Sequence, residues 1–270
     1  MCIISTQLRE RENMKTKKPT GYIFYQGPSM IDGSPIVGIA TVSSSNIKTG
    51  NMIQTWIMPD NDLTPQENVK KGSDSSVCGD CEHRPIKKDE IPKFKPCYVL
   101  AFQAPNAVHK KYKRGGYTYN PEAVSELARD IFIRIGSWGN GSAIPKYVWD
   151  GLLKYSKGHT GYDHNWQDRL GRFDPAMMEI SMASVETVVQ YREAKRLGYR
   201  TFRVKEPHEP VLPTEIVCPA SEEAGRKVTC SDCRLCGGSS VKAKDIVINA
   251  HGRGVKKNKF KGIEIRQAAN

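Results

Sequence analysis

The chain has 270 residues, 38% of them hydrophobic and 26% charged, which excludes the disordered class and leaves room for one large domain or two small ones. Lys and Arg outnumber Asp and Glu by 41 to 29, a net charge of +12. That excess points to polyanionic partners, nucleic acid first, with ordinary solubility charge as the bland alternative. The longest apolar runs, Tyr98–Phe102 and Ile131–Ile133, fall far short of the roughly 20 residues that span a bilayer, so no membrane partner is expected. The N-terminal residues have no apolar stretch of export length, so the expected location is the cytoplasm. In a reducing cytosol, clustered cysteines serve more readily as metal ligands than as disulfides.

Residues 1–20 read as a flexible basic tail with Lys15, Lys17 and Lys18, and Met14 offers a second start. Tyr22–Tyr25, Ile36–Val42 and Asn51–Met58 read as strands, punctuated by Gly27-Pro28, Asp32-Gly33 and Pro59. Residues 60–96 show little periodicity and read as a loop that needs a cross-link. From Tyr98 a strand–helix alternation sets in. A strand Tyr98–Phe102 precedes a basic helix, Pro105–Arg114. A second helix is capped by Asn120, with Pro121 at its first position, and leads into a buried strand Ile131–Ile135. A helix from about Pro145 and a strand Glu179–Ala183 follow. Ser184 then caps a helix with Val185, Val188 and Val189 on one side. Tyr199–Val204 and Asp245–Asn249 complete the strands.

This order predicts a single α/β domain over residues 21–250. The expected fold is parallel and β/α barrel-like, whole or partial, with a β-rich N-terminal part and cysteine-rich metal-binding loops at 78–97 and 218–236. Residues 251–270 form a basic C-terminal tail. In such folds the loops after the strands make the working face, here residues 136–141, 161–166, 183–184, 205 onward and 218–221.

The strongest motif is Cys218 with Cys230, Cys233 and Cys236, three of them spaced C-x2-C-x2-C. A thiolate set this compact holds an iron–sulfur cluster or a tetrahedral zinc, and four protein ligands leave the centre coordinatively closed. Cys78, Cys81 and Cys97 form a second candidate centre. As zinc ligands they take His83 as the fourth; as cluster ligands they leave one iron open. The alternative for this second set is unpaired thiols.

The loop Gly136-Ser-Trp-Gly-Asn-Gly141 follows a strand and precedes a helix, but its spacing matches neither the dinucleotide fingerprint nor the P-loop. A tight strand–helix turn is the better reading. In Gly161-Tyr-Asp-His-Asn-Trp166 an imidazole sits between two aromatics that suit a flat ligand, with a packed structural histidine as the alternative. His109–Arg114 and the eight Lys/Arg of residues 242–266 are basic stretches suited to phosphate, or simply solvated faces.

Cys97-Tyr98, Ala104-Pro-Asn-Ala-Val108, Tyr112-Lys-Arg-Gly-Gly-Tyr117, Arg134-Ile-Gly-Ser137, Gly158-His-Thr-Gly-Tyr162, Met182-Ala-Ser184 and the 218–236 cysteines together resemble the phage family named after gene product eighty-eight. The likeness covers about residues 77–251. It implies a phage or prophage origin, hence a host cytoplasm, and a cysteine-rich β/α-barrel protein, but no particular reaction. The layout also has a distant likeness to radical S-adenosylmethionine enzymes. Their C-x3-C-x2-C is replaced here by Cys78-x2-Cys81-x15-Cys97, with a tyrosine after the last cysteine.

The leading expectation is therefore a metalloprotein, iron–sulfur or zinc, that acts on or binds nucleic acid or a nucleotide-derived substrate. Arg134 and Arg203 are expected to hold anionic groups, His164 to move protons, and Ser184 to face the pocket with them. Ser137, Trp138, Tyr162 and Trp166 are expected to contact substrate. The alternatives are a non-catalytic zinc-stabilised factor that binds nucleic acid, and one that captures a host protein.

Overall fold

The computed structural model describes residues 19–42, 46–84, 97–167 and 171–250. The expected basic tails and the middle of the 78–97 loop lie largely outside the described residues, as does Cys2.

Strands β1 (Gly21–Pro28), β2 (Pro35–Thr41) and β3 (Met52–Pro59) form an antiparallel meander, as their alternation and turns predict. All eight residues of β3 are buried, because both faces are covered and a parallel neighbour follows. That neighbour is β4 (Phe132–Trp138), which pairs in turn with β5 (His159–Thr160). A second sheet contains β6 (Tyr162–Asp163), β7 (Met182–Val185), β8 (Thr201–Lys205), β9 (Glu215–Val217) and β10 (Asp245–Asn249). The strand orders are β1-β2-β3-β4-β5 and β6-β7-β8-β10-β9, and every pairing in the second sheet is parallel. The result is one mixed α/β domain.

Gly161 is the only residue between β5 and β6, so one short run of chain serves both sheets. Its N–H donates to Cys236 O at 3.0 Å, and its carbonyl accepts from Met182 N at 3.0 Å. A Cβ here would lie 2.5 Å from Ile180 O, a backbone atom that has no room to yield. Gly161→Ala is expected to cost about 1–3 kcal/mol of stability, checked by chemical denaturation.

Eight α-helices pack around these sheets among the described residues: α1 (Pro65–Lys71), α2 (Ser75–Cys78), α3 (Ala104–Lys113), α4 (Pro121–Leu127), α5 (Lys146–Leu153), α6 (Met177–Ile180), α7 (Val188–Arg196) and α8 (Cys230–Cys233). Asn120 caps α4 as expected, its Oδ1 accepting from Ala123 N. The main core gathers Phe24, Ile36, Ile57, Ile133, Ile135, Trp149 and Leu152 under α4 and α5.

Four expectations need correction. The 60–96 segment is not all loop: α1 and α2 lie in it. α1 starts with Pro65 and a capping box in which Thr64 and Glu67 satisfy each other's backbone N–H. Tyr98–Phe102 is not a strand; Tyr98 and Phe102 are half exposed, and the segment turns into α3. Met177–Ile180 is a helical turn, so strand β7 begins only at Met182. Ser184 is inside β7 and caps nothing; Thr187 caps α7, paired with Gln190, and Val189 faces solvent.

Candidate metal centres and the pocket between them

Both cysteine groups line a single pocket of about 280 Å³. Cys78, Cys81, His83 and Cys97 come from the segment before and after the 85–96 stretch, and Cys218 and Cys230 from the C-terminal part. In β4, where Gly136 is left-handed at φ 67°, Arg134, Gly136, Ser137 and Trp138 all reach the pocket, whereas the other strand residues recur at a spacing of two: Thr160, Tyr162 and His164, then Phe202 and Val204. They share one sheet face because side chains alternate along a strand, and the alternation runs unbroken through Gly161.

The same alternation corrects one sequence-predicted site residue. Arg203 stands between Phe202 and Val204, so it points to the opposite face, fully buried. Its guanidinium bonds Glu215 through Nε at 2.7 Å and Nη2 at 2.8 Å, and Nη2 also donates to Pro210 O. It is a structural ion pair and holds no pocket ligand. Trp166 is corrected in the same way: its ring joins Ala183, Val185 and Ala194 in a small core, and Nε1 donates to Ser184 O at 2.8 Å. Arg134, Ser137, Trp138, Tyr162, His164 and Ser184 do line the pocket.

The first cysteine group is held by an arginine that reads as unremarkable in sequence. Arg84 clasps both oxygens of Asp74 and donates to Gly72 O and Gly79 O, which fixes the Cys78–Cys81 turn. Asp80 N donates to Asn165 Oδ1, docking that turn against the loop after β6. Cys81 Sγ receives the backbone N–H of His83; burial nevertheless pushes the thiol up to about 11. Cys78 is pushed well above the usual thiol range by burial, with Cys81 and Cys97 adding to it.

The second group is built on the same plan. Arg200 is buried and donates to the carbonyls of Leu235, Gly238, Ala243 and Lys244, which shapes the chain around Cys236. Cys218 Sγ receives the backbone N–H of Ala220. Cys230 N and Ser231 N donate to Lys48 O and Thr49 O in the turn before β3. Burial pushes Cys236 up to about 12, helped by Cys218, Cys230 and Cys233, while the Tyr162 hydroxyl bonded to its sulfur opposes the rise. Arg234 closes the motif in the left-handed region, at φ 61°.

An all-thiol donor set is that of a zinc or iron–sulfur site. Cys218 and Cys236 are buried and the other five half-buried; among the described residues no two are joined by a disulfide, and neither group brings three sulfurs within 4.8 Å of one another. Backbone N–H groups two residues on are aimed at Cys81 and Cys218, a bond that is strong only when the sulfur is a thiolate. A bound metal deprotonates its thiols and so removes the cost that burial imposes on the charge.

Arg134 links the two groups. Its Nη2 donates to Tyr98 Oη at 3.0 Å, next to Cys97, and the charge of Cys230 favours it from the other group. Burial disfavours its charge, but Tyr98, Tyr162 and Cys230 outweigh that and keep it cationic. Its buried Nε has no hydrogen-bond partner among the described residues. Lys48 also borders the pocket, so a ligand there meets two cations together with Trp138, Phe202 and Tyr162.

His83 is placed beside the first cysteine group, but its ring turns to Glu186: Nε2 lies 2.7 Å from Glu186 Oε1. His164 meets the His83 ring edge-on, with centroids 5.5 Å apart. Burial pulls His83 down, and the bond and charge of Glu186 more than reverse it. Burial pulls His164 down as well, and there it prevails over the opposing charges of Glu186 and Asp163. Asp163 anchors this corner: its Oδ1 accepts from Asn140, Ser142 and the backbone of Asn165. Glu186, Arg84 and Arg200 escaped the sequence reading: Glu186 and Arg200 act through partners distant in the chain, and Arg84 through backbone carbonyls and an aspartate in a stretch without periodicity.

Comparison with protein-family models, with curated proteins and with solved structures finds no match for this chain.

Proposed function

We propose that the protein is a two-centre metalloprotein whose pocket takes an anionic, nucleotide-derived ligand. The observation that carries this reading is the convergence of both cysteine groups on one pocket that also contains the partly unpartnered Arg134. Cys78, Cys81 and Cys97 hold an iron–sulfur cluster, and three thiolates leave one iron open to the pocket. Cys218, Cys230, Cys233 and Cys236 make a closed centre that is structural or carries electrons. When bound, the open cluster supplies redox or Lewis-acid chemistry. The chain's own residues orient the ligand: Arg134 and Lys48 take its charge, and Trp138 and Phe202 pack its flat part.

The pocket volume suits a nucleotide-sized molecule and excludes a duplex. Nucleic acid, if bound whole, meets the basic outer face of α3, where Lys110, Lys111 and Lys113 cluster. The junction of the two sheets at Gly161 supports a barrel-like arrangement with the pocket on its inner face. A phage origin in a host cytoplasm belongs to the same proposal and rests on the family resemblance.

Anaerobic purification followed by iron, sulfide and zinc analysis tests the centres. Iron with sulfide and a brown colour is the expected result. Colourless protein carrying zinc alone would replace the cluster with the zinc-stabilised binding factor. For the pocket, Arg134→Gln is expected to weaken binding of a nucleoside phosphate by about 10–100-fold, read by calorimetry. An unchanged affinity would remove Arg134 from the ligand.

A further inference from the structure

Apart from the thiolate groups, three side chains from separate segments meet at one end of the pocket. His83 stands two residues past Cys81, His164 directly follows β6, and Glu186 directly follows β7. One ligand atom from each lies within 4.8 Å of the other two. The side chains are shielded, His83 at 12% and Glu186 at 4% exposure.

An ion pair between His83 and Glu186 accounts for two of the three. It leaves His164 unexplained. That imidazole borders the pocket and stands edge-on to His83, yet it makes no hydrogen bond among the described residues. The half-buried His164 ring borders the pocket with its donor atom within reach of the other two, the position of a ligand to a cation shared by all three.

We propose that His83, His164 and Glu186 form a binding site for a first-row divalent cation of the zinc or ferrous type, separate from the thiolate centres. Two imidazoles and one carboxylate are the donor set such ions accept while keeping positions open. Bonds of about 2.0–2.2 Å place neighbouring ligand atoms roughly 3 Å apart, so the observed spread closes by small side-chain rotations. The open positions face the pocket, where the ion takes a water or a ligand oxygen.

Outer partners are in place. Asp163 fixes the backbone that carries His164. Gln190 accepts the Glu186 N–H at 2.9 Å and donates to Glu82 Oε1 at 2.8 Å, which brings a second carboxylate to the site's edge. His83 serves two centres at once, its backbone N–H on Cys81 Sγ and its ring on the cation.

Cobalt is the probe. The full chain, stripped of metal by a chelator under anaerobic conditions, is titrated with Co²⁺ and followed by visible absorption and metal analysis. Wild type is expected to bind one equivalent more than His164→Gln or Glu186→Gln. The lost equivalent is expected to show weak ligand-field bands without sulfur-to-cobalt charge transfer, and Zn²⁺ is expected to displace it. Glu186→Asp, which keeps a carboxylate, retains the equivalent with weakened affinity and serves as the folding control, alongside circular dichroism of every variant. Cys236→Ser loses charge-transfer intensity but keeps the ligand-field signal, so failure of the thiolate centres is read separately. Equal cobalt in wild type and both Gln variants overturns the proposal. So does loss of an equivalent whose spectrum is that of thiolate.

Discussion

Replacing Arg203 with Leu is expected to lower the unfolding free energy by about 3–5 kcal/mol, among the largest effects of any single substitution here. The reason is what the change leaves behind. Glu215 is fully buried, and both of its oxygens are bonded to Arg203. Without the guanidinium, a carboxylate remains in the interior with, among the described residues, only Leu212 N to bond it. Removing both charges in Arg203→Leu/Glu215→Leu is expected to recover most of the loss, because a buried ion pair gains little over well-packed apolar side chains. Urea denaturation of the three variants forms a double-mutant cycle with a strong coupling. If Arg203 instead held a pocket ligand, the single variant would keep its stability and lose ligand affinity.

On the proposal that the C-terminal cysteines hold a metal, Cys236→Ser is expected to empty that centre and to remove most of the stabilisation the metal would provide. Cys236 is buried as deeply as Cys218, packed with Met182, Ile246 and Ile248, and its sulfur is bonded by Tyr162. Binding free energy at structural zinc sites is of order 10–16 kcal/mol in small peptides, and in a larger domain part of it appears as folding stability. Metal analysis should lose that centre's full content. Chelation should lower the wild-type melting temperature toward that of the variant, while the variant changes less. Tyr162→Phe separates coordination from packing: it keeps the ring and deletes only the hydroxyl on the sulfur. Its expected cost is about 10–100-fold in metal affinity, with the fold intact. A chelator-insensitive wild type would refute a stabilising metal at this position.

The sequence was informative where the physics is local. The three N-terminal strands, the Asn120 cap and the thiolate spacings each depend on residues a few positions apart, and each was legible. Thr64-Pro65-x-Glu67 carried a capping signal just as local, but the weak periodicity around it hid α1. Tyr98–Phe102 has strand-like composition, yet half-exposed side chains and the following Ala104-Pro105 helix start overrule it. Arg203 was readable in principle, since in the regularly alternating strand β8 it faces opposite to Phe202 and Val204. The clasp of Arg200 and the meeting of Glu186 with His83 were not readable. They join segments up to 103 positions apart, and no spacing rule reaches that far.

The bonds from Cys230 and Ser231 to Lys48 and Thr49 have a consequence for how the molecule is made. The turn before β3 is synthesised about 180 residues ahead of the segment that bonds it, so Lys48 O and Thr49 O gain these partners only after every strand of the first sheet has been made. The tie is therefore a late, long-range closure, formed after the sheet that carries the turn.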